Sequence, residues 1–359
     1  MCAAPGCAKH HSESGAEQGG GSGPLTGKLL FSSLRRGKEE LPSHFRVVAY
    51  YVMDRAGRER HPIGVSAAPN AMLPNPRGNA VVYLRDQKLY LRYFDPDKTV
   101  AVNTGGRVVA RALWFPDGRR LLFAWHPRPD KWTPEGLAVF DSSTSDVHDL
   151  AQFDRPIDGL ALSPDGRTVV LADHRGLVKM RMEDWGLVFD GALVANIPGY
   201  RAKHIVWSPN GRFIAYQVVT SQVVIGHESG TDVRGDVTSL WVYDTKASQA
   251  QQLREATAGM DTPAWHPRSD TIAYAVADYR FSRSRLYFAD WSGKNWSTRE
   301  KMVVDGIMKI SGWSADGTAF AYTVGAKGAS RIYVAAGDGS DPHPISPPNA
   351  LDFLPKWVG

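Results

Sequence analysis

The chain of 359 residues is 43% apolar, 10% aromatic and 22% charged, with a formal net charge of +5. That is enough apolar material for a packed core, but no run of roughly eighteen apolar residues exists to make a membrane-spanning helix. The mild positive charge is spread along the chain, which favours acidic surfaces or ligands and excludes the concentrated basic footprint of a nucleic-acid-binding protein.

Residues 1–24 are small or polar and include Gly19-Gly20-Gly21-Ser22-Gly23, the composition of a disordered leader or tether. Both cysteines, Cys2 and Cys7, fall here, so the predicted core needs no disulfide. Ala3-Ala4-Pro5-Gly6-Cys7 resembles the end of a bacterial lipoprotein signal, in which Cys7 would be lipidated and serve as a membrane tether. No apolar segment precedes it and Pro5 is unusual at such a site, so the resemblance either needs an upstream half or arises by chance. Cys2, Cys7, His10 and His11 can be drawn as metal ligands, but a flexible tail offers no second shell to orient them. No metal or other cofactor is expected.

Residues 25–359 carry a repeat. In its fullest copy an apolar run ends at Trp207, Ser208-Pro209-Asn210-Gly211 follows, and a second run covers Phe213 to Tyr216. Pro fixes the first corner of a type I turn, Asn or Asp suits the second, and Gly takes the left-handed position that starts the next strand with a bulge. The pattern recurs at Trp114-Phe115-Pro116-Asp117-Gly118, Leu162-Ser163-Pro164-Asp165-Gly166 and Trp313-Ser314-Ala315-Asp316-Gly317. It is worn at Trp265-His266-Pro267-Arg268 and Leu73-Pro74-Asn75-Pro76, and cut short at Leu354-Pro355-Lys356-Trp357. The spacing of about 40–50 residues is that of β-propeller blades, each of which needs a neighbour to cover its faces.

The fold class is therefore all-β. Lys28 to Ser32, Arg46 to Met53 and Arg58 to Ile63 read as the second, third and fourth strands of a first blade whose innermost strand is missing. Leu351 to Trp357 has the character of that strand. The first blade is thus predicted to be closed by the C-terminal strand, giving a seven-bladed β-propeller, with six blades as the alternative if the first segment is an appendage.

Tandem Trp-Ser-Pro-Asp-Gly-Arg turns followed by an Ile-Ala-Tyr strand resemble the repeats of the TolB-like (WD40-like, PD40) propeller family, whose turn is shared by the propellers of prolyl oligopeptidases. The resemblance covers about residues 25–359. It implies a propeller and a periplasmic or otherwise extracytoplasmic location, and it is poorly specific for function because the turn residues serve the fold. TolB itself carries an α/β domain before a six-bladed ring, and here only a short tail precedes the blades, which puts a Tol-Pal role in doubt. The oligopeptidases carry a hydrolase domain, whereas Gly312-Trp313-Ser314-Ala315-Asp316 lacks the second Gly of a nucleophile elbow.

In a propeller, the connections from second to third strands surround one mouth of the central channel, together with those between blades. This places His126, Arg128, Asp130 and Lys131 of blade three, Asp173, His174 and Arg175 of blade four, and Asp278, Tyr279, Arg280 and Arg283 of blade six at the mouth. Blade five has the longest such loop, from about Val218 to Thr238, with His227, Glu228, Asp232 and Arg234. His126, Arg128, Asp173, His174, Arg175, His227, Asp278 and Arg280 are the candidate ligand-contacting residues. No catalytic residue can be assigned.

His126, His174 and His227, from three blades, could meet at the mouth to bind a metal or an acidic sugar, for which seven-bladed oligogalacturonate lyases are a family precedent. Against this, no His-x-His spacing is present. Trp114, Trp207, Trp265 and Trp313 share one repeated position and are predicted to pack between blades. Trp132, Trp291 and Trp296 fall outside it, which leaves a sugar-binding role open. Two readings follow: a monomeric, non-enzymatic scaffold that binds a protein or glycan at the bacterial cell envelope, or a metal-dependent lyase or hydrolase acting on an acidic polysaccharide.

Overall fold

The computed structural model describes residues 27–34, 48–66, 72–85, 88–94, 97–126, 136–154, 156–173, 176–183, 186–195, 201–228, 231–326 and 328–358. The expected leader, with Cys2 and Cys7, lies outside them. Every regular element among the described residues is a strand, and the strands form seven antiparallel sheets of four. The protein is a seven-bladed propeller, and the six-bladed alternative is set aside.

The ring closes as the sequence predicts. The first sheet orders its strands as Asp352–Trp357, Leu29–Leu34, Val48–Met53 and His61–Ser66. The C-terminal strand pairs Trp357 with Leu29 and Lys356 with Leu30. Two more backbone bonds, Gly27 N to Val358 O at 2.6 Å and Val358 N to Lys28 O at 3.0 Å, extend the ladder past the strand ends. One blade thus joins both ends of the ring, and no unpaired inner edge is left at the seam.

Both faces of each blade are buried, so the middle strands read as nearly continuous apolar runs in which alternate residues face opposite neighbours. In blade three, Leu121, Phe123 and Trp125 pack with Val82 and Leu91 of blade two, whereas Leu122 and Ala124 pack with Val169 and Leu171 of blade four. The apolar residues fall into seven clusters, one at each interface between blades. At about 25 cal/mol per Å² of apolar area removed from water, these interfaces supply most of the driving force for closing the ring. A cross-strand tyrosine pair recurs within three blades. Tyr83 opposes Tyr90, Tyr274 opposes Tyr287 and Tyr322 opposes Tyr333, with ring centroids 5.2 to 5.4 Å apart and nearly parallel planes.

The repeated turns have the expected geometry. Gly211 N donates to Ser208 O at 2.9 Å, with Gly211 at φ +72° in the left-handed region that favours glycine. The Ser208 hydroxyl donates to Asn210 Oδ1 at 2.7 Å and accepts from Phe213 N at 2.8 Å, so one buried side chain ties the corner to the following strand. Ser163 and Ser314 hold their turns in the same way.

Trp114, Trp265 and Trp313 sit at blade interfaces, as expected of the repeated position. Trp291 and Trp296 do so too, which corrects the sugar-binding reading left open for them. Their rings lie 5.5 and 5.2 Å from that of Phe213, locked between blades five and six. Trp132 lies outside the described residues.

Candidate binding site

The Pro-Asp-Gly turns and their variants lie at one end of blades two to seven, so the opposite end presents the connections from second to third strands and those between blades. There the long loop expected in blade five is instead a regular hairpin. Its strands Phe213–Glu228 and Thr231–Asp244 pair from Phe213 with Asp244 out to Glu228 with Thr231. Ser221 to Val224 are exposed, so this part of the hairpin lacks the one-sided apolar alternation that marks a strand in sequence, and pairing alone holds it extended.

Of the eight candidate residues, His126, Asp173, His227, Asp278 and Arg280 lie among the described residues. His126 is buried at the end of its strand, opposite Val108. Asp173 ends the second strand of blade four, opposite Gly176. The backbone of His227 lies at the hairpin tip, opposite Asp232. Arg128, His174 and Arg175 lie outside the described residues, as do Asp130 and Lys131. Among the described residues there is no group of three or more His, Cys, Asp or Glu side chains arranged to hold a metal. The described part therefore offers no donor set for the proposed histidine site.

Asp278 and Arg280 do share a site. They line an open cleft of about 810 Å³ between the hairpin of blade five and the turn of blade six from Asp278 to Arg283. Arg280 N donates to Asp278 Oδ1 at 3.1 Å, which shapes the turn. The lining holds four arginines, Arg254, Arg280, Arg283 and Arg285, against the single carboxylate of Asp278. Arg283 pairs with Asp305 at 3.2 Å and Arg285 with Glu300 at 3.0 Å, both at the surface. Arg254 lies over the Tyr287 ring, 5.0 Å from its centroid. Three apolar side chains in the lining are exposed: Phe281 at 74%, Val224 at 46% and Val223 at 40%.

A second group of polar residues, not anticipated from the loops, faces the central channel from the innermost strands. Arg111 lies on Val108–Trp114, His204 on Arg201–Trp207, Lys309 on Ile307–Trp313 and Lys356 on Asp352–Trp357. All four are open to water. Even so, surrounding protein desolvates the first two and the last, lowering the pKa values of Arg111, His204 and Lys356. Groups that are wet and enclosed at once are what a narrow channel produces. The Asp261 carboxylate, of blade six, opposes this lowering at Lys356 and at His204, and the Arg111 charge adds to it at His204.

No family model matches the chain, and no curated protein does. Solved structures match in fold. TolB from Acinetobacter baumannii is 14% identical over 94% of this chain and 67% of its own, with a TM-score of 0.53. A Bacteroides uniformis protein proposed to be a 6-phosphogluconolactonase is 13% identical over 92% of this chain and 97% of its own, with a TM-score of 0.57. Oligogalacturonate lyase from Vibrio parahaemolyticus is 12% identical over 89% and 86%, with a TM-score of 0.53. The chain shares its propeller fold with TolB and with propellers of other activities.

Proposed function

We propose that this TolB-like propeller is a non-enzymatic scaffold at the bacterial cell envelope that holds an acidic protein segment in the cleft between blades five and six. The observation that carries the proposal is the composition of that cleft: exposed Phe281, Val223 and Val224 set among four arginines and one carboxylate. Exposed aromatics beside arginine are what protein-binding surfaces concentrate. Arg283 and Arg285 already pair with Asp305 and Glu300, so Arg254 and Arg280 are the guanidinium groups offered to a carboxylate, and the exposed ring provides an apolar anchor. The extended hairpin forms one wall and the short turn of blade six the other, so a peptide strand has a defined path. The envelope location rests on the family resemblance and on the sequence around Cys7.

Fluorescence anisotropy tests this with short labelled peptides that carry several Asp or Glu residues around one Phe or Leu. Micromolar, salt-weakened binding is expected, at least tenfold weaker for Phe281→Ala and for Arg280→Gln, with no binding by a basic peptide of the same length. A photo-crosslinker at residue 281 in native extract should then capture a protein through an acidic segment. Equal binding of acidic and basic peptides, or no change in the two variants, would overturn the proposal.

A further inference from the structure

The two guanidinium groups that the cleft offers to a ligand are held differently. Arg280 stands in the turn of blade six, tied through its backbone N to Asp278 Oδ1 at 3.1 Å. Among the described residues nothing bonds or stacks on its guanidinium, so it brings a positive charge without a fixed plane. Arg254 lies on the outer strand of blade five, Gln249–Ala258, opposite Leu240. It reaches across the boundary between blades and sets its guanidinium carbon 5.0 Å from the centroid of the Tyr287 ring of blade six. Tyr287 in turn stacks on Tyr274, with centroids 5.2 Å apart and planes 17° from parallel. Tyr274 is fully buried on the strand Thr271–Asp278. The guanidinium is thus the outer layer of a column whose base is fixed in the core. The ring quadrupole attracts the cation, and a planar guanidinium stacks where an ammonium cannot.

Stacking occupies the face of a guanidinium and leaves the N–H groups along its edge. Among the described residues no protein acceptor takes those of Arg254, which lines the cleft, so they are left to cleft water. A second column in the same ring shows the alternative. In blade seven Tyr322 stacks on Tyr333 at 5.4 Å and 12°, and Arg331 lies over Tyr333 at 5.7 Å. There the guanidinium donates through Nε and Nη2 to the Ser346 carbonyl at 3.2 and 3.0 Å. Arg331 is engaged by its own blade, whereas Arg254 keeps its edge for a ligand.

We propose that Arg254 is the specificity-determining residue of the cleft, taking one side-chain carboxylate of the ligand edge-on through two parallel N–H donors, and that Tyr287 is the positioning residue that fixes its plane. This role rests on the acidic segment proposed above for the cleft and divides the work there: Arg280 supplies charge and Arg254 supplies geometry. A carboxylate matches the fork with two oxygens in one plane. An amide has one acceptor and meets the fork with donors of its own. The cleft should therefore distinguish Glu from Gln at one position of the bound peptide. Lysine at residue 254 keeps the charge but not the fork.

Anisotropy titrations of the full chain test this, with a labelled peptide of Glu residues around one Phe and with its single Glu-to-Gln versions. In the wild type one replacement should weaken binding about tenfold and the others about twofold or less. Arg254→Lys should bind the parent peptide about tenfold more weakly and lose the preference for Glu at that position, while Arg280→Lys stays within about threefold and keeps it. Tyr287→Phe retains the ring and should match the wild type, whereas Tyr287→Leu should lose the preference as Arg254→Lys does. Damage to the fold alone would weaken every peptide equally and leave the preference intact. If Tyr287→Leu does not fold, the Arg254 Nε–H signal of the wild type, identified by its loss in Arg254→Lys, should show an upfield ring-current shift by NMR and move when the parent peptide is added. A Glu preference unchanged in Arg254→Lys, or an Nε–H signal that the peptide leaves in place, would overturn the proposal while the cleft reading stands. No binding of any acidic peptide would remove both.

Discussion

The indole of Trp357 donates a 3.0 Å hydrogen bond to the backbone carbonyl of Gly312, joining the last strand of the chain to the innermost strand of blade seven. The same bond recurs where Trp114 reaches Leu73 O at 3.0 Å and Trp265 reaches Val206 O at 3.1 Å. Each crosses from the innermost strand of one blade to that of the blade before it. The repeated tryptophan thus serves as a stitch as well as packing, and at Trp357 it fastens the seam where the ends of the ring meet. Trp357→Phe leaves the Gly312 carbonyl without its indole donor and should cost about 1–3 kcal/mol in urea denaturation. Deleting residues 352–359 removes the strand itself, and cooperative thermal unfolding should be lost by circular dichroism.

Asp352 of that strand is fully buried, and Arg60 grips it through two bonds of 3.1 and 2.9 Å. The guanidinium also lies over the rings of Phe31 and Tyr51, at 4.7 and 4.6 Å from their centroids. Removing one partner of a buried ion pair costs about 3–5 kcal/mol, because the other charge stays behind unpaired. Asp352→Asn should approach the lower end of that range, since the Arg60 side chain keeps 31% of its exposure. Arg283→Gln, which breaks an exposed pair, should cost no more than about 1 kcal/mol. Equal costs for the two variants in chemical denaturation would show that the seam does not depend on the buried pair.

Most of the ring was legible in the sequence because the turn demands particular residues. Proline and glycine are placed by backbone geometry, so seven copies of one turn, two of them worn and one cut short, counted the blades, and the orphan strand from Leu351 to Trp357 announced the closure. The rest was less legible for two reasons. Attention to loops missed Arg111, His204 and Lys356, which sit on innermost strands where a lone polar residue among apolar ones was the available signal. The hairpin of blade five read as a loop because its far half is exposed and carries no apolar alternation, yet that half builds a wall of the cleft. Trp291 and Trp296 fell outside the repeat and looked free, but they fill the space around Phe213 where blade six lacks the turn glycine of its neighbours.

A clamp that repeats with the turn offers a third test. Arg119, just after Gly118, bonds Asp141 at the end of the third strand of blade three, through Nε at 2.9 Å and Nη2 at 2.8 Å. Arg212 holds Asp244 in the same way in blade five. The Arg119 bonds, with those from Ser143, hold the Asp141 carboxyl well below the ordinary carboxylate range despite the opposing effect of burial. A carboxyl depressed in the fold contributes stability above its unfolded value near 3.8, and this is lost as the pH falls toward its folded value. Asp141→Asn should therefore cost about 2 kcal/mol at neutral pH. Its difference from the wild type should shrink progressively below about pH 4 in acid-denaturation curves.

His204 gives the same sign in a higher pH window. Burial in the channel lowers its pKa below the ordinary 6.5, outweighing the bond to Gln217, so the unfolded chain takes up a proton that the fold resists. Stability should then rise with pH through the interval between the folded value and 6.5, and fall as the pH drops through it. His266, also lowered by burial, adds to the same slope. His204→Asn fits the left-handed backbone, since asparagine tolerates that region better than most residues, but it gives up the Gln217 contact at every pH. Compared in one buffer, the variant should be the less stable protein at about pH 7.5 and lose less on acidification to about pH 5.5. Parallel curves for the two proteins would mean that His204 is not the enclosed channel group described above.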